Sequence, residues 1–165
     1  MSDAFDQWVE WRHKAPGDRR SIPAELYAAV MSLPETDRSD RQRVNEVVRS
    51  HDEARREGRT VWLYLDYDEA GAPRTMEDPG WVKVFASADV AERWFKENDR
   101  EGVAWEYEVE DGQPRGSVWL CSRDPASRAI GDPDWAKLFA SIKAAEKWLE
   151  DNDPMGKIWE YPVQE

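Results

Sequence analysis

The side chains through which this chain could do covalent or acid–base chemistry are few and scattered. Cys121 is the single cysteine, so it has no partner for an internal disulfide, and no CxxC pair or His/Cys cluster has the spacing of a metal site. Cys121 stands where the first half of the chain has Tyr64, so the shared scaffold does not require a thiol there, and a buried, inert cysteine is expected. His13 and His51 are the only histidines; neither falls in a triad or ligand spacing, and surface or helix-face positions are expected for both. Four acids recur as Asp78/Asp132, Glu92/Glu146, Asp99/Asp153 and Glu106/Glu160. Paired carboxylates are the raw material of general acid–base catalysis, yet turn, helix-surface and strand-surface positions account for each of these. No P-loop, GxGxxG, GxSxG, HExxH or EF-hand pattern occurs. These residues point away from an enzyme and call for no cofactor or metal.

Recognition chemistry has more to work with. The chain has 10 tryptophans. Eight of them form the pairs Trp62/Trp119, Trp81/Trp135, Trp94/Trp148 and Trp105/Trp159. Trp94, Trp105 and their mates lie on apolar stripes and are expected in the core. Trp62 alternates out of phase with Val61, Leu63 and Leu65, as Trp119 does with Val118 and Leu120, so both indoles point to the opposite side of their strands. Either the N-terminal helices cover that side, which is the expectation, or the indoles form a binding surface. Trp81-x-Lys83 and Trp135-x-Lys137 place an indole and an ammonium on one strand face, where a local cation–π contact or a ligand platform would form. Trp62, Trp81, Lys83, Trp119, Trp135 and Lys137 are therefore the candidate partner-binding residues.

These positions recur because the chain repeats itself. WFKENDREGVAWEYEV at 94–109 returns as WLEDNDPMGKIWEYPV at 148–163, and 13 of the 27 positions between 85 and 111 are identical at an offset of 54. The opening strands, VWLYL at 61–65 and VWLCS at 118–122, match at an offset of 57, so one loop is three residues shorter in the second unit. Each unit reads β-loop-β-α-β. Val61 to Tyr67 has strand composition, Asp78-Pro79-Gly80 and Asp132-Pro133-Asp134 have turn chemistry, and a short strand runs through Trp81 to Phe85. Ser87 and Ser141 stand at helix N-caps, and Val90, Ala91, Trp94 and Phe95 share a helical stripe with Ala144, Ala145, Trp148 and Leu149 as its counterpart. Asn98-Asp99 and Asn152-Asp153 close the helices, with Gly102 and Gly156 in the loops beyond. In the last strand Val103, Trp105, Tyr107 and Val109 face one way and Glu106 and Glu108 the other. Pro162 replaces Glu108 in the second unit, and because proline donates no ladder bond, that strand is expected to be an edge or to end there.

Residues 1–59 differ in texture and read as a helical segment. Phe5, Trp8, Val9 and Trp11 suit a short amphipathic helix or anchoring arm. Ser21-Ile22-Pro23 opens a second helix with Leu26, Ala29, Val30 and Leu33 as its stripe, and a third runs from about Asp40 to Glu57 on a thin strip of Val44, Val47, Val48 and Ala54. The expected fold is α+β: this N-terminal segment, then tandem β-β-α-β repeats at 60–113 and 114–165 packed as a pseudo-twofold domain. A unit of about 50 residues buries too little surface to be comfortably stable alone, so the two are expected to share one apolar face.

Charge narrows the partners. Residues 1–60 carry 11 Lys+Arg and 12 Asp+Glu, with ten of the cations arginine, whereas residues 61–165 carry 12 against 23, a net of -11. Such a surface repels nucleic acid and anionic membrane and favours basic or nucleic-acid-binding proteins. The polar first twenty residues do not read as a signal peptide, no run approaches the roughly 18 apolar residues of a membrane span, and the lone cysteine suits a reducing compartment, so a cytoplasmic location is expected. The leading expectation is a non-enzymatic protein–protein interaction or regulatory protein using an acidic, Trp-rich duplicated module. Two others stand beside it: an acidic nucleic-acid mimic that inhibits a DNA- or RNA-acting enzyme, and a small-molecule or carbohydrate binder lined by Trp62, Trp81, Trp119 and Trp135.

Overall fold

The computed structural model describes residues 1–15, 17, 22–66, 81–122, 130 and 135–165. The expected turns at 78–80 and 132–134, with Asp78 and Asp132, lie outside them, as do Ser21 and Tyr67. Helix α1 (Ala4–His13) starts at a capping box, in which the Asp3 side chain accepts from the Asp6 N–H and the Asp6 carboxylate accepts from the Asp3 N–H. Pro23 precedes α2 (Ala24–Met31), whose buried residues are Leu26, Ala28, Ala29 and Val30. A 3-10 turn over Glu35–Ser39 leads to Asp40, which caps α3 (Arg41–Arg56) by accepting from the Arg43 N–H. These three helices enclose Trp8, Leu26, Val30 and Val44, and the Trp8 indole N–H donates to the Arg38 carbonyl at 3.1 Å.

The rest of the chain is β1 (Thr60–Leu65), β2 (Val82–Phe85), α4 (Ala88–Asn98), β3 (Trp105–Glu108), β4 (Ser117–Cys121), β5 (Lys137–Phe139), α5 (Ile142–Asn152) and β6 (Ile158–Gln164). Helix and sheet are mixed, as an α+β chain requires. Ser87 and Ser141 cap α4 and α5 by accepting from the Val90 and Ala144 N–H groups. Asp99 and Asp153 end the two helices, and the Asn98 and Asn152 amides each donate to a main-chain carbonyl, of Trp94 and Trp148, at 2.9 Å. Gly102 is required by close approach, since a Cβ there would lie 2.5 Å from the Phe95 ring. The chain hugs the end of α4 at this point, so the ladder begins only at Trp105 and Val103 is 54% exposed, outside the strand in which its alternation had placed it.

The strand order is β3-β1-β2-β6-β4-β5. Strand β1 is antiparallel to β2 and β3, and β4 is antiparallel to β5 and β6. Two parallel junctions join the trios: Val84 pairs with Val163 between β2 and β6, and Val109 pairs with Leu138 beside β5. The second junction closes the sheet into a barrel, sealed by the Glu110 N–H donating to the Leu138 carbonyl at 2.8 Å, as the Ala86 N–H donates to the Gln164 carbonyl at 2.8 Å in the first.

Alternation along the strands then sorts side chains to the inside and outside of the barrel. The interior holds Val61, Leu63, Leu65, Val82, Val84, Tyr107, Val109, Val118, Leu120, Leu138 and Tyr161 around Trp81 and Trp135, whose rings meet edge to face at 6.5 Å. On the outside, α4 covers Trp62, Tyr64 and Phe85, and α5 covers Cys121 and Phe139. Trp94 and Trp105, expected on a common core, lie on opposite sides of the barrel wall, Trp94 in the outer layer and Trp105 against the interior. Strand β6 corrects a second expectation: it is no edge and does not stop at Pro162, since it runs to Gln164 with β4 on one flank and β2 on the other. Val163 donates to the Gly116 carbonyl at 2.8 Å, so the adjacent Pro162–Ser117 pair exchanges no main-chain bonds. The missing N–H therefore faces β2, where pairing starts only at Val163, so proline shortens the pairing with β2 without ending the strand.

Candidate functional site

Helix α3 lies on the outer face of β1 and β3, and one carboxylate there accounts for how it is held. Glu106 is paired with Trp62 across the β3–β1 ladder, so it points outward with that indole, beneath α3. Its side chain is wholly inaccessible to solvent. Arg55 grips it with a fork, Nε to Oε1 at 3.0 Å and Nη2 to Oε2 at 2.8 Å, while its Nη1 donates to Asp52 at 2.7 Å. His51, one turn earlier on the same helix face, brings Nδ1 within 3.3 Å of Oε2. Burial raises the Glu106 pKa, but the hydrogen bonds from His51 and Arg55 and the charges behind them outweigh it, so the carboxyl titrates below its ordinary value. Glu106 is thus not the strand-surface acid its sequence position implied, while His51 lies on a helix face as expected and has Glu106 as its partner. A visible signal was available: His51 and Arg55 stand four apart on a helix with too little apolar surface to be held by burial alone.

The corresponding outer face on β4 and β6 carries the same residue types in the same register. Trp119 pairs with Glu160 as Trp62 pairs with Glu106, and Ser117 pairs with Pro162 as Thr60 pairs with Glu108. The outer apolar clusters also match. Trp62, Tyr64, Phe85, Ala91, Val90, Trp94, Phe95 and Ala104 on one side correspond to Trp119, Cys121, Phe139, Ala145, Ala144, Trp148, Leu149 and Ile158 on the other. Ala28 of α2 belongs to the first cluster only. Exposure follows that difference. Thr60, Trp62 and Glu106 are 7%, 3% and 7% exposed, whereas Ser117 and Trp119 are half-buried and Glu160 is exposed. Among the described residues the Glu160 carboxylate accepts from the Ser117 hydroxyl at 2.8 Å.

Of the six candidate residues from sequence, Trp81 and Trp135 meet, inside the barrel, and the set forms no common surface. Trp62 is buried under α4 and α2, and Trp81 and Trp135 are buried in the barrel, so none of the three reaches solvent freely. The Trp81 Nε1 is buried without a hydrogen-bond acceptor among the described residues. Lys83 lies 5.3 Å from the Trp94 ring, not over Trp81 as the W-x-K spacing suggested, because Trp81 precedes the strand and turns inward while Lys83 alternates outward. Lys137 also points outward, with Glu110 at 3.4 Å. Trp119 is the one tryptophan of the set at a partly open surface.

Two described side chains that could act as nucleophiles are held protonated by burial. Cys121 is 1% exposed and burial pushes its thiol up to about 11, away from the thiolate range. Burial likewise pushes the Tyr161 hydroxyl up to about 12. A cleft of about 440 Å³ beside the start of α4 is lined by Glu25, Arg55, Trp62, Ser87, Asp89 and Glu165 among others, with three carboxylates around one guanidinium. No described helix is long and apolar enough to cross a membrane. No protein-family model, curated protein or solved structure matches this chain.

Proposed function

We propose that the chain is a non-enzymatic interaction protein whose acidic, Trp-rich module, built from two β-β-α-β units at 60–113 and 114–165, binds another protein through the outer face of its second unit. The two units are related by an approximate twofold axis. Support for that relation comes from the junctions, where Val84–Val163 and Val109–Leu138 are the same pair displaced by 54 positions, and from Trp81 meeting its own counterpart Trp135. The observation that carries the binding proposal is the fate of equivalent acids: Glu106 is buried by the protein's own α3, while Glu160 is exposed in the same register. Segment 1–59 occupies one of two like faces and leaves the other for a partner. A half-buried indole beside an outward carboxylate is the kind of anchor on which binding energy concentrates.

The test uses the full chain as bait in cell extract, beside Trp119→Ala and Lys96→Ala, the latter on the exposed surface of α4. One protein retained in stoichiometric amount by the wild type and by Lys96→Ala, and lost with Trp119→Ala, is the expected result. No stoichiometric retention, or retention indifferent to residue 119, overturns the proposal.

A further inference from the structure

We infer that the partner element docking on β4 and β6 is a helix that presents an arginine to Glu160, as α3 presents Arg55 to Glu106. The inference rests on the interaction reading above and names the chemistry of its partner.

The secondary structure of the occupant follows from the closed sheet. Strand β4 has β5 and β6 as neighbours, and β6 has β4 and β2, so neither offers a free edge to an added strand. What remains accessible is a face, and the same face on β1 and β3 is covered by helices, through Ala28 of α2 and His51 and Arg55 of α3. Charge fixes the sign. Residues 61–165 carry a net of -11, and Glu160 is an outward carboxylate met by one hydroxyl donor among the described residues, so a cation is complementary. A second copy apposed through its own β4–β6 face would set Glu160 against Glu160, which like-charge repulsion opposes. Geometry selects arginine over lysine. The Arg55 fork satisfies both Glu106 oxygens, at 3.0 and 2.8 Å, while a lysine would act as a single point charge. Trp119 supplies the apolar contact next to the pair, half-buried where Trp62 is 3% exposed.

The probe is the protein's own helical segment. A second copy of residues 1–57, in which the three helices enclose Trp8, Leu26, Val30 and Val44, is joined through a Gly/Ser linker after Glu165 of the full chain, which places it at an effective concentration on the order of millimolar. Labelling with 5-fluorotryptophan resolves Trp119 from Trp62 by fluorine NMR, the resonances being assigned with Trp119→Phe and Trp62→Phe. The expected result is a shift of the Trp119 resonance with the Trp62 resonance unmoved. Arg55→Glu within the appended segment should lower the docked-to-free ratio about tenfold, the loss of one charge-assisted contact. Glu160→Arg in the same molecule should restore it. A Trp119 resonance that does not move, that moves equally with the mismatched charges, or that reverts on dilution as a dimer would, overturns the inference; so does movement of Trp62, which reports exchange into the occupied face. If Trp119-dependent capture from extract succeeds while this charge swap has no effect, the interaction reading stands and only the arginine-helix partner is lost.

Discussion

Arg55→Ala is the substitution that most directly examines how the N-terminal helices are held. The change leaves the Glu106 carboxylate beneath α3 with His51 alone, in a site where its side chain has no solvent access. Removing one partner of a buried ion pair costs about 3–5 kcal/mol. Because the Arg55 side chain is itself 29% exposed, the lower end applies, and we take about 3 kcal/mol. For a domain of this size that is a fall in Tm of roughly 6–12 °C. Glu160→Gln is the matched control, since the same residue type in the same register is exposed there, and its effect should stay within about 0.5 kcal/mol. Acid supplies a second readout. The folded pKa of Glu106 is depressed, so its contribution is fully present above the ordinary carboxylate range and is lost as pH falls through the lowered value. Without Arg55 burial gains on the opposing hydrogen bonds and the carboxyl protonates more readily, so the difference between wild type and variant should narrow as pH drops below about 4.5. Urea titrations at pH 7 and pH 3.5 measure both effects. A cost below about 1 kcal/mol at pH 7 would refute the reasoning, as would a difference that grows on acidification.

Trp81→Ala and Trp135→Ala should each destabilise by about 3–5 kcal/mol, and because the rings touch, the double variant in urea should show a coupling of about 0.5–1.5 kcal/mol; strictly additive losses would mean the two units do not share this core. Gly102→Ala drives a methyl to within 2.5 Å of the Phe95 ring and should cost about 1–3 kcal/mol, whereas Ala at Gly17, where nothing lies within 4 Å, should cost far less in the same thermal melts. Cys121 should resist iodoacetamide at pH 8 in the native protein and react fully only when denatured, since its thiol is buried and its pKa is pushed up to about 11; rapid native labelling would contradict that burial.

Local chemistry was legible wherever a short stretch of chain decides the outcome. Ser87 and Ser141 announce helix starts because a hydroxyl at that position can satisfy an orphan N–H whatever the rest of the fold does. The alternation of Trp105, Glu106, Tyr107 and Glu108 announces a strand because successive side chains must point apart, and it correctly put Trp62 on the side opposite Leu63. The duplication was plain from identity alone. What each side of a strand would meet was legible only in part: the N-terminal helices cover the Trp62 side, as expected, but not the Trp119 side. Glu106 and Glu160 sit in the same short sentence of sequence, W-E-Y, yet one is buried beneath an arginine and the other exposed.

By itself, then, the sequence determined the helices, most of the strands and the two-sidedness of each strand, all of which depend on interactions within a few residues. Only the tertiary structure decided that the strands close into a barrel, that Trp81 and Trp135 meet inside it, that β6 runs past Pro162 between two neighbours, and that α3 lies on one outer face and not on its equivalent. Those outcomes hinge on contacts between segments far apart in the chain, such as Arg55 with Glu106 and Val109 with Leu138. The spacing of His51 and Arg55 marks one side of such a contact but does not name Glu106 as the other, and burial, which gives each contact its strength, exists only once the chain has closed on itself.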